Sequence, residues 1–295
     1  MASLWPATRG VGSAAGVASQ RTRIAVLAAA PQLSRGRRAA TTIKELQVTT
    51  TPATQTIAGG PTGRVVVVTG AARGIGRAIA ERFVADGDRV ATIYRGGDLP
   101  KGVEPYVADV TDTEAVDAAF AAIEKDLGPV EVLVANAGVT KDQLLMRMSD
   151  DEFEQVVDVN LKGTFRCVRR ASKGMIRARK GRIVLLGSIV GLSGGPGQVN
   201  YSSSKAALVG MARSITRELG GRGITANVVA PGYVETDMTA ALSEDVRAGY
   251  LKQIPAARFA SPDEIAAVVS FVASEAAGYV SGAVIPVDGG LGMGH

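Results

Sequence analysis

Three side chains between Gly187 and Lys205 have types and spacing that suit work on a carbonyl oxygen. Lys205 follows Tyr201 by four residues, which on a helix puts phenol and ammonium on one face, one turn apart. Ser188 closes the apolar run IVLLG. That run reads as a buried strand, so the hydroxyl falls at a strand's C-terminal end, where open α/β sheets hold ligands. A free tyrosine titrates at about pH 10, and a neighbouring positive charge favours the tyrosinate. Lys205 is therefore expected to lower the pKa of Tyr201 and make it a usable acid at neutral pH. Tyr and Lys four apart also occur on solvated helix faces, so the pair depends on what the rest of the chain builds around it.

The elements that would position such a site begin at Arg64. The β-branched run RVVVVT leads into the glycine cluster GAARGIG and then into the helical pattern RAIAERFVADG. Strand, glycine turn and helix are the context a dinucleotide site requires. The spacing Gly70, Gly74, Gly76 differs from the GxGxxG fingerprint, but the reasons for glycine carry over. Gly70 allows a sharp turn, Gly74 allows backbone to approach a phosphate, and Gly76, after Ile75, allows close helix packing. The helix N-terminus would then face the pyrophosphate.

The second strand, RVATIY, ends at Arg95, where an NAD-binding protein would place an acid on the ribose hydroxyls. With Arg73 in the glycine loop, two guanidinium groups could hold a 2′-phosphate, which argues for NADPH; either arginine alone could be a solvated surface residue. VEPYVADV brings Asp109 and Val110 to a strand end. Two roles stay open for Asp109: accepting from an adenine amine, or capping the helix TDTEAVDAAFAAIEKDLG, whose N-cap is expected near Thr111. VEVLVANAG delivers the small residues Asn136, Ala137 and Gly138 to the same edge, leaving room for a flat ligand.

Composition excludes several alternatives. A single cysteine, Cys167, rules out an internal disulfide, and one histidine, His295, leaves no Cys/His cluster for a metal. Cys167 is expected in a helix core. The net charge of +5 belongs to the N-terminus: residues 1–47 hold seven Arg and Lys against Glu45, which leaves the rest at −1. Nucleic-acid binding by the folded part is not suggested. The longest apolar run in the first fifty residues, IAVLAAA at 24–30, is shorter than the ~20 residues that cross a bilayer, so no membrane insertion is expected.

Residues 1–60 read as a basic, disordered N-terminal extension, with the folded domain over 61–295. Two origins stay open for the extension. The composition of residues 1–44, acid-free and rich in Arg, Ser and Ala, suits an organelle transit peptide. It also suits translation begun upstream of the true start, with Val48 as the alternative, which would leave a cytoplasmic protein.

TGxxxGxG, Asn136-Ala137-Gly138, Asn160, Ser188, YxxxK and Pro231-Gly232, in that order, resemble the short-chain dehydrogenase/reductase family over residues 64–295. The Ser-to-Tyr interval of 13, VNLKGTF around Asn160, PGYVETDM and the ending GAVIPVDGG are similar to the branch that reduces 3-oxoacyl groups on acyl carrier protein. YRGGDLPKG, LLMRMSDDEFEQVV and GGLGMGH are similar to its actinobacterial members serving long-chain, mycolic-type elongation. The resemblance implies an α/β doubly wound Rossmann fold with seven parallel strands, a homotetramer, and NADPH as cofactor. It implies that Tyr201 gives its proton to the 3-oxo oxygen, that Ser188 holds that oxygen, and that Lys205 binds the nicotinamide ribose. Asn160 would hold a water linking Lys205 to bulk solvent, and Pro231, Gly232, Val234 and Thr236 would flank the nicotinamide.

Beyond Thr236, residues 237–260 read as a substrate lid, since connections this long are more often functional than mere linkers. Met238, Leu242 and Ile254 are candidates for acyl contact. The family's carrier-docking positions fall on Arg179 and Arg222, which could equally be ordinary helix-end arginines. Three alternatives compete with this reading. Gly191–Gly195 matches the GxSxG elbow of hydrolases, but it does not directly follow a strand, and its only candidate base is His295. A catalytically idle NADPH sensor fits poorly with a full Asn/Ser/Tyr/Lys set. A reductase of another carbonyl (a 3-oxoacyl-CoA, polyketide, steroid or xenobiotic ketone) remains the alternative.

Overall fold

The computed structural model describes residues 63–240 and 243–293. The expected N-terminal extension, Leu242, His295 and the side chain of Met238 lie outside the described residues. Strands and helices alternate: β1 (Val65–Thr69), α1 (Gly74–Ala85), β2 (Arg89–Tyr94), β3 (Val103–Val107), α2 (Thr113–Asp126), β4 (Val130–Ala135), α3 (Asp150–Val157), α4 (Thr164–Ala178), β5 (Gly181–Leu186), α5 (Val190–Ser193), α6 (Val199–Leu219), β6 (Ile224–Pro231), α7 (Asp237–Ala240), α8 (Glu244–Leu251), α9 (Pro262–Val272) and β7 (Val284–Val287).

The seven strands form one sheet in the order β3-β2-β1-β4-β5-β6-β7, and every pairing is parallel. A parallel sheet needs helical crossovers and is covered on both faces, which explains why β1 is an unbroken valine run rather than an alternating one. Val65 and Val67 face a core layer closed by α2, α4 and α6; Val66 and Val68 face a second layer closed by α1 and α9. All four are fully buried, each worth about 1.5–3 kcal/mol. Cys167 is buried on α4, and burial pushes its thiol up to about 12.

Strand order reverses between β1 and β4, so their C-terminal ends splay into the crevice where open α/β sheets bind ligands. Helix starts differ in how they are closed. The Asp112 carboxylate caps α2 by accepting from the Glu114 and Ala115 amides at 2.8 and 3.0 Å. The cap thus falls one residue after Thr111, where it was expected, and Thr111 itself donates its amide and hydroxyl to Asp109 at 2.9 and 2.8 Å. Asp109 thus shapes its own turn and does not cap α2. Ser149 with Glu152, and Ser261 with Glu264, form reciprocal capping boxes at α3 and α9. Helix α1 has no side-chain cap and no acid in its first turn. Among the described residues, no helix is long and apolar enough to cross a membrane.

Candidate active site

The sheet's C-terminal edge collects nearly every residue singled out by type and spacing. At β1 the chain turns through Gly70, whose φ of +75° favours glycine. Gly76 lies so close beneath that an added Cβ would sit 2.3 Å from the Gly70 carbonyl oxygen. Asn136 braces the turn, its side-chain amide donating to the Thr69 and Gly70 carbonyls at 2.9 and 3.2 Å. The Thr69 hydroxyl accepts from the Asn136 and Ala137 amides at 3.0 and 2.9 Å. The first amides of α1, from Gly74 onward, therefore start an uncapped helix, where unpaired N–H groups and the positive end of the dipole suit an anion. A cradle that a Cβ would fill, under an open helix N-terminus, fits a dinucleotide pyrophosphate.

Arg73 and Arg95 are both exposed at this edge, on neighbouring loops: a Cβ on Gly97 would touch the Ala72 side chain at 3.2 Å. Arg95 pairs loosely with Asp109 at 3.7 Å. Burial pushes the Asp109 carboxyl up, but the hydrogen bonds from Thr111 and the charge of Arg95 outweigh it and hold it below its usual range. Val110 is a core side chain packed on Gly163. Gly232 lies against the backbone of Asp288 beyond β7. The Val234 side chain is buried in the layer with α1 and α9, so only its backbone faces the crevice edge. The Thr236 methyl lies 3.5 Å from where a Gly74 Cβ would be, which joins the β6 loop to the glycine turn.

Asn160 sits in a π-helical turn, Asp158–Gly163, between α3 and α4. It is fully buried, and its side chain is spent on local contacts. Its Oδ1 accepts from the Val139 amide at 2.8 Å, and its Nδ2 donates to the Val139 carbonyl at 3.0 Å and the Ser204 hydroxyl at 3.1 Å. Gly138 lies beside both Asn160 and Lys205: a Cβ there would be 3.2 Å from Asn160 Oδ1 and 3.5 Å from Lys205 Nζ.

Tyr201 and Lys205 both lie on α6, as their spacing requires. Lys205 is buried, donates to the Leu186 carbonyl at 2.7 Å, and lies 5.7 Å from the centre of the Tyr201 ring. Burial pushes its ammonium down to about 8. The expected net lowering of the tyrosine's pKa is corrected here. The phenol stands above its ordinary value because burial dominates; interaction with the Ser188 hydroxyl opposes the rise, and the Asp142 carboxylate adds to it. Ser188 follows β5, with its Oγ accepting from the Val190 amide at 3.2 Å.

Arg179 and Arg222 come together elsewhere. The Arg179 guanidinium donates to the Gly221 carbonyl at 3.1 Å, but both residues flank the starts of β5 and β6, at the sheet's opposite edge. The six residues of β5 separate them from Ser188, roughly 20 Å at ~3.3 Å per residue. Ile254, expected to touch an acyl chain, is instead buried against Gly289. Ser193 forms no nucleophile elbow: it ends the short α5 and donates to the Ile189 carbonyl at 3.1 Å. The lid segment contains α7 and α8. Its two ends are clamped by a bridge between Val234 and Ala260 and by Tyr233 stacked on Tyr250 and Phe259, with centroids 4.1 and 5.4 Å apart.

Asn200, Ser204, Thr69 and Gln198 also support the site without standing out by type and spacing. Each holds a loop against the site through long-range contacts. Only Asn200, a polar residue at a helix start directly before the tyrosine, carried a local signal.

A family model described as enoyl-(acyl carrier protein) reductase matches residues 70–292. The 3-oxoacyl-[acyl-carrier-protein] reductase MabA of Mycobacterium tuberculosis is 56% identical over 232 residues, covering 79% of this chain and 94% of its own. The MabA of Mycobacterium avium is 53% identical over 232 residues, covering 79% and 91%. The 3-oxoacyl-[acyl-carrier-protein] reductase FabG of Escherichia coli is 44% identical over 239 residues, covering 78% and 98%. With this similarity spanning the glycine turn, the Ser188–Tyr201–Lys205 unit and the sheet edge that joins them, the chain belongs to the short-chain dehydrogenase/reductase family.

Proposed function

We propose that the protein reduces a 3-oxoacyl thioester, carried on acyl carrier protein, to the 3-hydroxyacyl thioester in fatty acid elongation, using NADPH. The observation that carries this reading is the meeting of Tyr201 and Ser188 at the same C-terminal sheet edge as the uncapped start of α1. Gly70, Gly74, Ile75 and Gly76 would cradle the pyrophosphate, Arg73 and Arg95 the 2′-phosphate, and Asp109 and Val110 the adenine. Asn136, Ala137 and Gly138 would line the middle of the cofactor. Pro231, Gly232, Val234 through its backbone, and Thr236 would border the nicotinamide. NADPH, when bound, supplies the hydride that C3 receives. Ser188 orients the 3-oxo oxygen, Tyr201 gives it a proton, and Lys205 contributes charge that favours the phenolate left behind. Asn160, its side chain being engaged by Val139 and Ser204, would keep Lys205 in contact with a proton-carrying water through its backbone carbonyl.

The family model and the relatives carry names that differ in which bond is reduced, a carbon–carbon or a carbonyl double bond. Two neighbouring hydroxyls, of Ser188 and Tyr201, suit an oxygen acceptor and favour the carbonyl. The relatives' names support acyl carrier protein as the partner. We place the enzyme in the cytoplasm as a homotetramer. A second reading, reduction of a carbonyl on coenzyme A or another small carrier, is favoured by Arg179 and Arg222 lying at the far sheet edge, away from the Ser188 of their own chain. Loss of NADPH absorbance with 3-oxoacyl and enoyl thioesters, on carrier protein and on coenzyme A, tests both. Turnover of the 3-oxo compound with a higher kcat/KM on carrier protein is expected. Turnover of the enoyl compound alone contradicts the proposal.

A further inference from the structure

We infer that Asn200 is a positioning residue that locks the proton donor Tyr201 to the loop and helix on the substrate side of the crevice. The inference rests on the reading of Tyr201 as the acid. Asn200 is the second residue of α6 and is fully buried. Burying an amide is tolerated only when its hydrogen bonds are made, and here they run to three different segments. Its Oδ1 accepts from the Tyr201 amide at 2.7 Å. Its Nδ2 donates to the Lys141 carbonyl at 2.9 Å, in the loop after β4, and to the Glu152 carbonyl at 3.2 Å, in α3.

No side chain caps α6 from the preceding residue, Gln198. Asn200 therefore satisfies an otherwise orphaned first-turn amide from inside the helix, and that amide belongs to Tyr201 itself. Two further contacts close the same seam. The Gln143 amide donates to the Gly197 carbonyl at 2.8 Å, and the Gln198 side chain donates to Asp142 at 2.9 Å. One turn further along, the Ser204 hydroxyl donates to the Tyr201 carbonyl at 2.7 Å and accepts from Asn160. The backbone of Tyr201 is thus held at its N–H by Asn200 and at its C=O by Ser204. The first links it to the substrate-side loop, the second to the π-helical turn. A displacement of about 1 Å at a reacting group can cost ~100-fold in rate, which sets the scale for losing the first of these holds.

The test uses the full chain with Asn200→Ala and Asn200→Ser, NADPH, and acetoacetyl-CoA as the probe. NADPH-binding sites are counted by nicotinamide fluorescence, so that kcat is expressed per folded, cofactor-competent site. The expected result is a kcat per site lower by about 10- to 100-fold with NADPH affinity unchanged. The solvent deuterium isotope effect should rise as proton transfer becomes limiting. The Tyr201 titration, read as the tyrosinate absorbance that Tyr201→Phe abolishes, should shift downward as the helix start loosens. A kcat per site close to wild type, or a fall in rate with an unaltered isotope effect, overturns the inference. Loss of NADPH binding in both variants overturns it too, by making Asn200 a folding residue. If wild type reduces no thioester, the functional reading fails, and the Tyr201 titration still decides the role of Asn200.

Discussion

The glycine turn at the start of α1 and the segment 233–260, which includes the expected lid at 237–260, stand at the same edge of the sheet and are built on opposite principles. The glycine turn is held by backbone geometry and leaves its helix start without a side-chain partner. In the lid, side chains satisfy one another. Ser243 caps α8 through the Val246 amide, Glu235 takes both prongs of Arg247, and Arg247 lies 4.4 Å over the Phe259 ring, which stacks on Tyr233. The contrast suggests a rule for this molecule: satisfied side chains position, while open backbone and a few held-back hydroxyls bind.

The largest effect is expected where backbone geometry leaves no slack. Gly76→Ala puts a methyl 2.3 Å from the Gly70 oxygen, so the turn must open. Thermal melts should show destabilisation of about 1–3 kcal/mol, and NADPH titration should show loss of most binding. Retained affinity would mean that the turn is not the cradle.

Next in size, Arg95→Asp should shift the ratio of NADPH to NADH affinity by about 10- to 100-fold toward NADH, the scale of a charge-assisted phosphate contact reversed in sign. An unchanged ratio would remove Arg95 from the cofactor site.

A smaller effect follows from Lys205, whose ammonium burial holds at about 8 against an ordinary 10.5. Above pH 8 the folded protein loses that charge, so NADPH affinity should weaken severalfold between pH 7 and 9. The sign for stability is opposite. Between pH 8 and 10.5 the unfolded chain binds the extra proton, so this group's contribution to stability rises with pH over that window. Affinity that stays level through pH 9 would show that Lys205 is not facing the cofactor as a cation.

The smallest effect is expected in the lid. Glu235→Gln breaks an exposed pair, which contributes little to folding, so the melting temperature should barely move while KM for long acyl substrates rises. A large fall in melting temperature would instead make the lid a structural element of the domain.

Local pattern carried much of this site and long-range contact carried the rest. The valine run of β1 was readable because a strand buried on both faces has no polar alternation to blur it. Gly70 and Gly76 were readable because no other residue fits their backbone. The spacing of Tyr201 and Lys205 placed both on one helix, but not the balance of forces on the phenol. Burial, which outweighs the Ser188 hydrogen bond there, depends on what packs around it from distant parts of the chain. The same holds for Arg179 and Arg222. They end up together, but at the far edge, because that is where β5 and β6 begin in register. The π-helical turn that carries Asn160, and the threefold anchoring by Asn200, have no periodic signature in sequence, since each is defined by partners from other segments.

The central claim is that Tyr201, which also borders the cofactor, delivers the proton at a site whose cofactor cradle persists without its hydroxyl. Tyr201→Phe, assayed beside wild type for NADPH binding and for NADPH oxidation with a 3-oxoacyl thioester, tests it directly. The account predicts equal NADPH affinity and a kcat lower by about 100- to 10,000-fold. A variant that turns over at the wild-type rate, or a wild type that binds NADPH and reduces no 3-oxoacyl thioester, would contradict it.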